Sequence, residues 1–127
     1  MEYGFSKTVD LSYDDALIKV TEELKKEGFG VLTEIDVKET LKKKLDVDFN
    51  KYKILGACNP PLAHKALQLE EQLGLLLPCN VIVYESGDKT VVSAFDPMIM
   101  TKLIDNENMM AVAQEVKEKM QRVLNAL

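Results

Sequence analysis

Cys79-Asn80-Val81-Ile82-Val83-Tyr84-Glu85, followed by Ser86-Gly87-Asp88-Lys89 and then Thr90-Val91-Val92-Ser93-Ala94-Phe95, is the stretch on which the fold turns. Two runs rich in β-branched and aromatic residues flank a short glycine-containing turn, the pattern of a β-hairpin. Asp96-Pro97 stops it, because proline has no N–H to give to a ladder. Toward the N-terminus, Tyr52 to Cys58 is β-rich enough for another strand and is closed by Asn59-Pro60-Pro61. Asn is a good N-cap and Pro suits a first helical turn, so a helix is expected from Pro60 to about Leu69.

Further back, Val31 to Ile35 alternates as a strand, and Asp36 with Glu39 forms a capping box opening a short helix through Leu45. Glu2 to Val9 reads as the first strand. Ser12 with Asp15 is a variant capping box, after which Tyr13, Ala16, Leu17, Val20 and Leu24 recur at helical spacing until Gly28 ends the helix. Toward the C-terminus, Met109, Ala113, Val116, Met120, Val123 and Leu127 alternate steps of four and three, which predicts a long helix from about Asn106 to Ala126. The methionines at this spacing are expected in the core.

The order strand, helix, strand, short helix, strand, helix, two strands, helix predicts an α+β domain of two layers. A five-stranded, mainly antiparallel sheet carries two long helices on one face, with short helices at one end. No linker, repeat or low-complexity segment divides residues 1–127, which are read as a single domain. The sheet's other face is left partly uncovered, to be buried by a second subunit or to shape a ligand cleft.

Hydrophobic residues make up 46% and charged residues 29% of the 127, a balance that excludes a largely disordered chain. The formal charge of -5, with Lys42-Lys43-Lys44 set between Glu39 and Asp46, argues against nucleic acid as a partner. No segment has the apolar length of a signal peptide or a membrane span, so a cytoplasmic protein without a membrane partner is expected, with both cysteines as free thiols. There is no Gly-rich phosphate loop, Gly-x-Ser-x-Gly elbow or His-Glu-x-x-His, and no cofactor is expected.

The candidate ligand-binding residues are Cys58, Asn59, His64, Cys79, Asn80 and Asp96. Were the strands ending at Cys58 and starting at Cys79 antiparallel neighbours, both thiols would lie at one end of the sheet, joined there by Asp96 and by His64 from the following helix. The partial positive charge of the helix start after Asn59 is expected to favour an anion or a thiolate nearby. Each residue also has a plainer role: the cysteines as packing residues, Asn59 as a cap, Asn80 as a partner for a backbone group, His64 as a solvated helix residue. Zinc is not expected, because Cys58, His64 and Cys79 lack the close ligand pairs that zinc sites use.

Gly28-Phe29-Gly30-Val31-Leu32-Thr33-Glu34-Ile35-Asp36-Val37, Ile54-Leu55-Gly56-Ala57-Cys58-Asn59-Pro60, Ala63-His64-Lys65-Ala66-Leu67 and Gly74-Leu75-Leu76-Leu77-Pro78-Cys79-Asn80-Val81 resemble the bacterial and archaeal family called domain of unknown function 302. The resemblance runs over nearly the whole chain. It implies an α+β fold similar to the TATA-box-binding-protein-like class, one sheet with helices on one side, and a homodimer. It implies no established activity, and fold likeness to a DNA-binding saddle carries no function across.

The leading functional expectation is a dimeric small-ligand-binding protein, its pocket near Cys58, His64 and Cys79 and its ligand a small molecule or an anion. A second is a thiol-dependent redox or transfer enzyme with Cys58 as nucleophile, His64 as base and Cys79 as resolving thiol. A third is a structural module that docks a partner through its sheet face or final helix.

Overall fold

The computed structural model describes residues 2–127. In chain order the elements are β1 (Gly4–Val9), α1 (Tyr13–Lys26), β2 (Gly30–Asp36), α2 (Val37–Leu45), β3 (Tyr52–Cys58), α3 (Pro60–Leu69), a 3-10 turn (Glu71–Leu76), β4 (Cys79–Ser86), β5 (Lys89–Phe95), α4 (Ile99–Leu103) and α5 (Glu107–Asn125). The strands form one sheet in the order β1-β5-β4-β3-β2, and every neighbouring pair is antiparallel. The expected α+β class and five-stranded sheet are those of the structure. The 3-10 turn and α4 lie in stretches to which the sequence pattern assigned no element.

Local chemistry accounts for the element ends. Pairing of Ser86 with Lys89 leaves Gly87-Asp88 as a two-residue loop, and Gly87 at φ 62° occupies the first central position of a type II′ turn. Ser12 Oγ accepts the Asp15 N–H at 3.1 Å and Asp36 Oδ1 accepts the Glu39 N–H at 3.0 Å, the two expected N-caps. At the other end of α1, Gly28 at φ 85° lets its N–H reach the Lys25 carbonyl at 3.0 Å while the Phe29 N–H reaches Leu24 at 2.9 Å. This is a Schellman closure, and it turns the chain directly into β2.

Strand alternation divides the sheet into two unlike faces. Across all five strands, Glu34, Leu55, Val81, Ala94 and Phe5 stand in one register row. Leu55, Val81 and Ala94 from that row pack under α1 and α5, meeting Ala16, Val20 and Leu24 on the first and Val116, Met120 and Val123 on the second. The adjacent row, Ile35, Ile54, Ile82, Ser93 and Ser6, is on the face that neither long helix covers, and the Ser6 and Ser93 hydroxyls hydrogen-bond across it. Tyr52 stacks on Tyr84 beside this row, with ring centroids 5.2 Å apart.

A smaller core of Ala66, Leu73, Met100 and Met109 forms where α3, the 3-10 turn, α4 and α5 meet. Met120 and Met109 are fully buried, as their helical spacing predicts. The shorter helices do not all sit at one end. α3, the 3-10 turn and α4 gather where β3 ends and β4 begins, but α2 follows β2, which runs away from that end because Gly30 pairs with Cys58 and Asp36 with Lys53. α2 buries none of its residues.

Candidate functional site

An apolar cavity of about 350 Å³ opens at the end of the sheet where β3 gives way to α3 and the chain returns into β4. Ala57, Cys58 and Cys79 contribute from the strand ends, Leu62, Ala63, Ala66 and Leu67 from α3, Gly74, Leu77 and Pro78 from the return, and Val112 and Val116 from α5. The pairing of β2 with β3 is irregular between Val31 and Thr33, and Leu32 and Thr33 both line the cavity beside it. No charged side chain is part of this wall.

Register explains the meeting of the two cysteines. Ala57 lies directly opposite Cys79, so Cys58 is one residue beyond the cross-strand partner of Cys79. Both thiols are free. Cys79 is buried, and that burial pushes its thiol up to about 11, with Cys58 beside it adding to the rise. At neutral pH Cys79 is therefore a protonated, weakly nucleophilic thiol. Cys58 is only half-buried.

Asn59 lines the cavity too, but its side-chain groups are committed. Its Oδ1 accepts the Leu62 N–H at 3.3 Å, capping α3, and its Nδ2 donates to the Glu27 carbonyl at 3.2 Å, where α1 ends. A β-carbon on Gly28 would lie 3.0 Å from that same Nδ2, so the glycine also makes room for the asparagine.

The structure brings Cys58, Asn59 and Cys79 to the cavity and leaves His64, Asn80 and Asp96 out of its wall. His64 is exposed, because α3 turns Leu62 and Ala66 inward and a residue midway between them points away. Asn80 follows Cys79 in the strand and so faces the opposite side, among Ile82, Tyr84 and Tyr52. Asp96 accepts the Met98 N–H at 3.0 Å and pairs with Lys117 of α5 at 3.6 Å. It helps close β5 onto α4 and α5 instead. The expected convergence of Cys58, His64, Cys79 and Asp96 on one pocket is thus corrected to the two cysteines, and no imidazole lies in the cavity wall to act as base for Cys58.

Sequence reasoning missed Leu32, Thr33, Ala63, Leu67, Pro78 and Met100 as cavity residues. Hydrophobic residues there carried no polar signal, although Leu32 and Leu67 are exposed apolar side chains at its rim. Among the described residues, no helix is long and apolar enough to cross a membrane, and no three His, Cys, Asp or Glu side chains gather as a metal site.

No curated protein matches the chain. A solved structure of an uncharacterized conserved protein of the DUF302 type from Bacillus stearothermophilus is similar over 99% of this chain and 98% of its own, at 26% identity and a TM-score of 0.92. The model of the family described as domain of unknown function DUF302 matches residues 5–127, and the chain belongs to that family.

Proposed function

We propose that this protein is a small-ligand-binding domain, working as a homodimer, whose cavity beside Cys58 and Cys79 takes an uncharged, largely apolar molecule. The observation that carries the reading is the cavity itself. Its volume of about 350 Å³ falls in the range of small-molecule sites, and its wall is hydrophobic with a few polar groups, Thr33, Asn59 and the two thiols. An anion would meet no cationic side chain in that wall. The free thiols support a reducing, cytoplasmic setting.

Ala63 of α3 gives the test. Its side chain is half-buried against the cavity, so Ala63→Phe places a ring in the space a ligand would use without replacing a core residue. An uncharged solvatochromic dye such as Nile red is expected to bind the wild type and to bind Ala63→Phe about tenfold more weakly, roughly 1.4 kcal/mol. A folded Ala63→Phe protein with unchanged dye affinity would reject the site.

The uncovered sheet face supports the second copy. Its central row of Ile35, Ile54, Ile82, Ser93 and Ser6, with Tyr52 and Tyr84 beside it, carries no charge. Two identical faces of this kind meet in a twofold dimer without like-charge repulsion. Light scattering on the eluting protein is expected to give twice the chain mass, and Ile54→Lys, which places like charges in both copies of the face, is expected to give the monomer. A wild-type monomer at the concentrations used for the dye would remove the dimer.

A further inference from the structure

We infer that the sulfur-bearing part of the cavity wall is a site for a soft monovalent metal ion, Cu(I), held between the thiolates of Cys58 and Cys79 with the thioether of Met100 as a further ligand. The inference uses the same cavity as the proposed ligand site but does not depend on an apolar ligand entering it.

The argument begins with the pairing of β3 and β4. Ala57 faces Cys79 across the ladder, and Cys58 is the next residue. A cross-strand step of about 5 Å and a rise of about 3.4 Å along the strand place the two α-carbons about 6 Å apart. That separation lies within the range from which two cysteine sulfurs can approach each other closely. Regular pleating would send adjacent positions to opposite faces. Cys58, however, is the last residue of β3, where the chain turns into α3, and both residues line the one cavity.

The donor set then selects the metal. Cys79, with 7% of its surface exposed, and Met100, with 3%, are buried sulfur-bearing residues of the cavity wall. No carboxylate or imidazole shares that wall. Hard cations need several oxygen ligands and structural zinc needs four nitrogen or sulfur ligands, so neither is matched by two thiols and a thioether. Soft thiolate and thioether ligands select Cu(I). Binding replaces the two thiol protons, and the resulting bis-thiolate complex carries one negative charge.

The test is an anaerobic titration of the reduced, full-length protein with Cu(I) against a chromogenic Cu(I) chelator, read by metal stoichiometry and by the near-ultraviolet sulfur-to-copper charge-transfer band. The expected result is one Cu(I) per chain. Cys58→Ser and Cys79→Ala should each weaken binding by more than the roughly 10- to 100-fold that loss of an outer-shell partner costs. Met100→Leu should keep the band and weaken binding less. If Cys79→Ala fails to fold, Cys58→Ser, at a half-buried position, decides alone. No retained Cu(I), or wild-type affinity in Cys58→Ser, overturns the inference, as does stoichiometric Zn(II) in place of Cu(I). Nile red binding by a protein with no affinity for Cu(I) sinks the metal site and leaves the ligand cavity standing. Cu(I) uptake without dye binding does the reverse.

Discussion

Gly56→Val is expected to lower the unfolding free energy by about 3 kcal/mol, the upper part of the range for forcing atoms into a filled site. Gly56 pairs with Thr33 on one side and Asn80 on the other, in the middle of the sheet's β2-β3-β4 half. A β-carbon added there would overlap Thr33 Oγ1 and lie 2.9 Å from Pro78 Cγ. Threonine can rotate away, but the proline ring cannot. Valine would therefore push on the return into β4 and widen the strand pairing that holds Cys58 near Cys79. In a thermal melt this loss corresponds to a drop of roughly 10 °C for a domain of this size. Gly30 supplies the control, since a β-carbon there meets nothing within 4 Å. Gly30→Ala should be neutral or stabilise by up to about 1 kcal/mol through the unfolded chain. Equal melting temperatures for Gly56→Val and wild type would contradict the close approach of Thr33 and Pro78.

Leu24→Ala is expected to cost about 3 kcal/mol, with the urea midpoint falling and the slope unchanged. Leu24 has no exposed surface and belongs to the main core, where the last turn of α1 rests on the sheet. Its carbonyl also accepts the Phe29 N–H of the Schellman closure, so the surrounding backbone is poorly placed to collapse into the space left behind. Ile18, on the same helix but 59% exposed, is the comparison. Ile18→Ala should change stability by no more than about 0.5 kcal/mol. Similar losses at both positions would mean that α1 does not pack through the face assigned to it.

These two residues also mark what was legible in the sequence. Leu24 belongs to a stripe with Ala16 and Val20 that periodicity alone orients, and Met109, Ala113, Val116, Met120 and Val123 of α5 are all buried as their spacing requires. The caps at Ser12, Asp36 and Asn59 were readable because each is a local bond, spanning three residues. Gly56 was not readable as a constrained position. Its crowding comes from Thr33 and Pro78, which lie 23 and 22 residues away in the chain. The cavity was hidden for the same reason, since strands, α3, the return and α5 each supply only part of its wall. Cys58 and Cys79 were found because strand polarity brings their ends together. Asn80 and His64 were misplaced where neighbouring residues share a region but not a direction, and Asp96 because its pairing with Lys117 is long-range.

Asn59 has a mechanical consequence. One side chain is bonded to the start of α3 and to the end of α1, two helices that reach it from different parts of the chain. α3 also lines the cavity, so a rotation of α3 about its start would stretch one of these bonds or carry the α1–β2 junction with it. The asparagine is a tie rod between a cavity-lining helix and the Glu27–Gly28 corner, where the helix that packs on the main core ends.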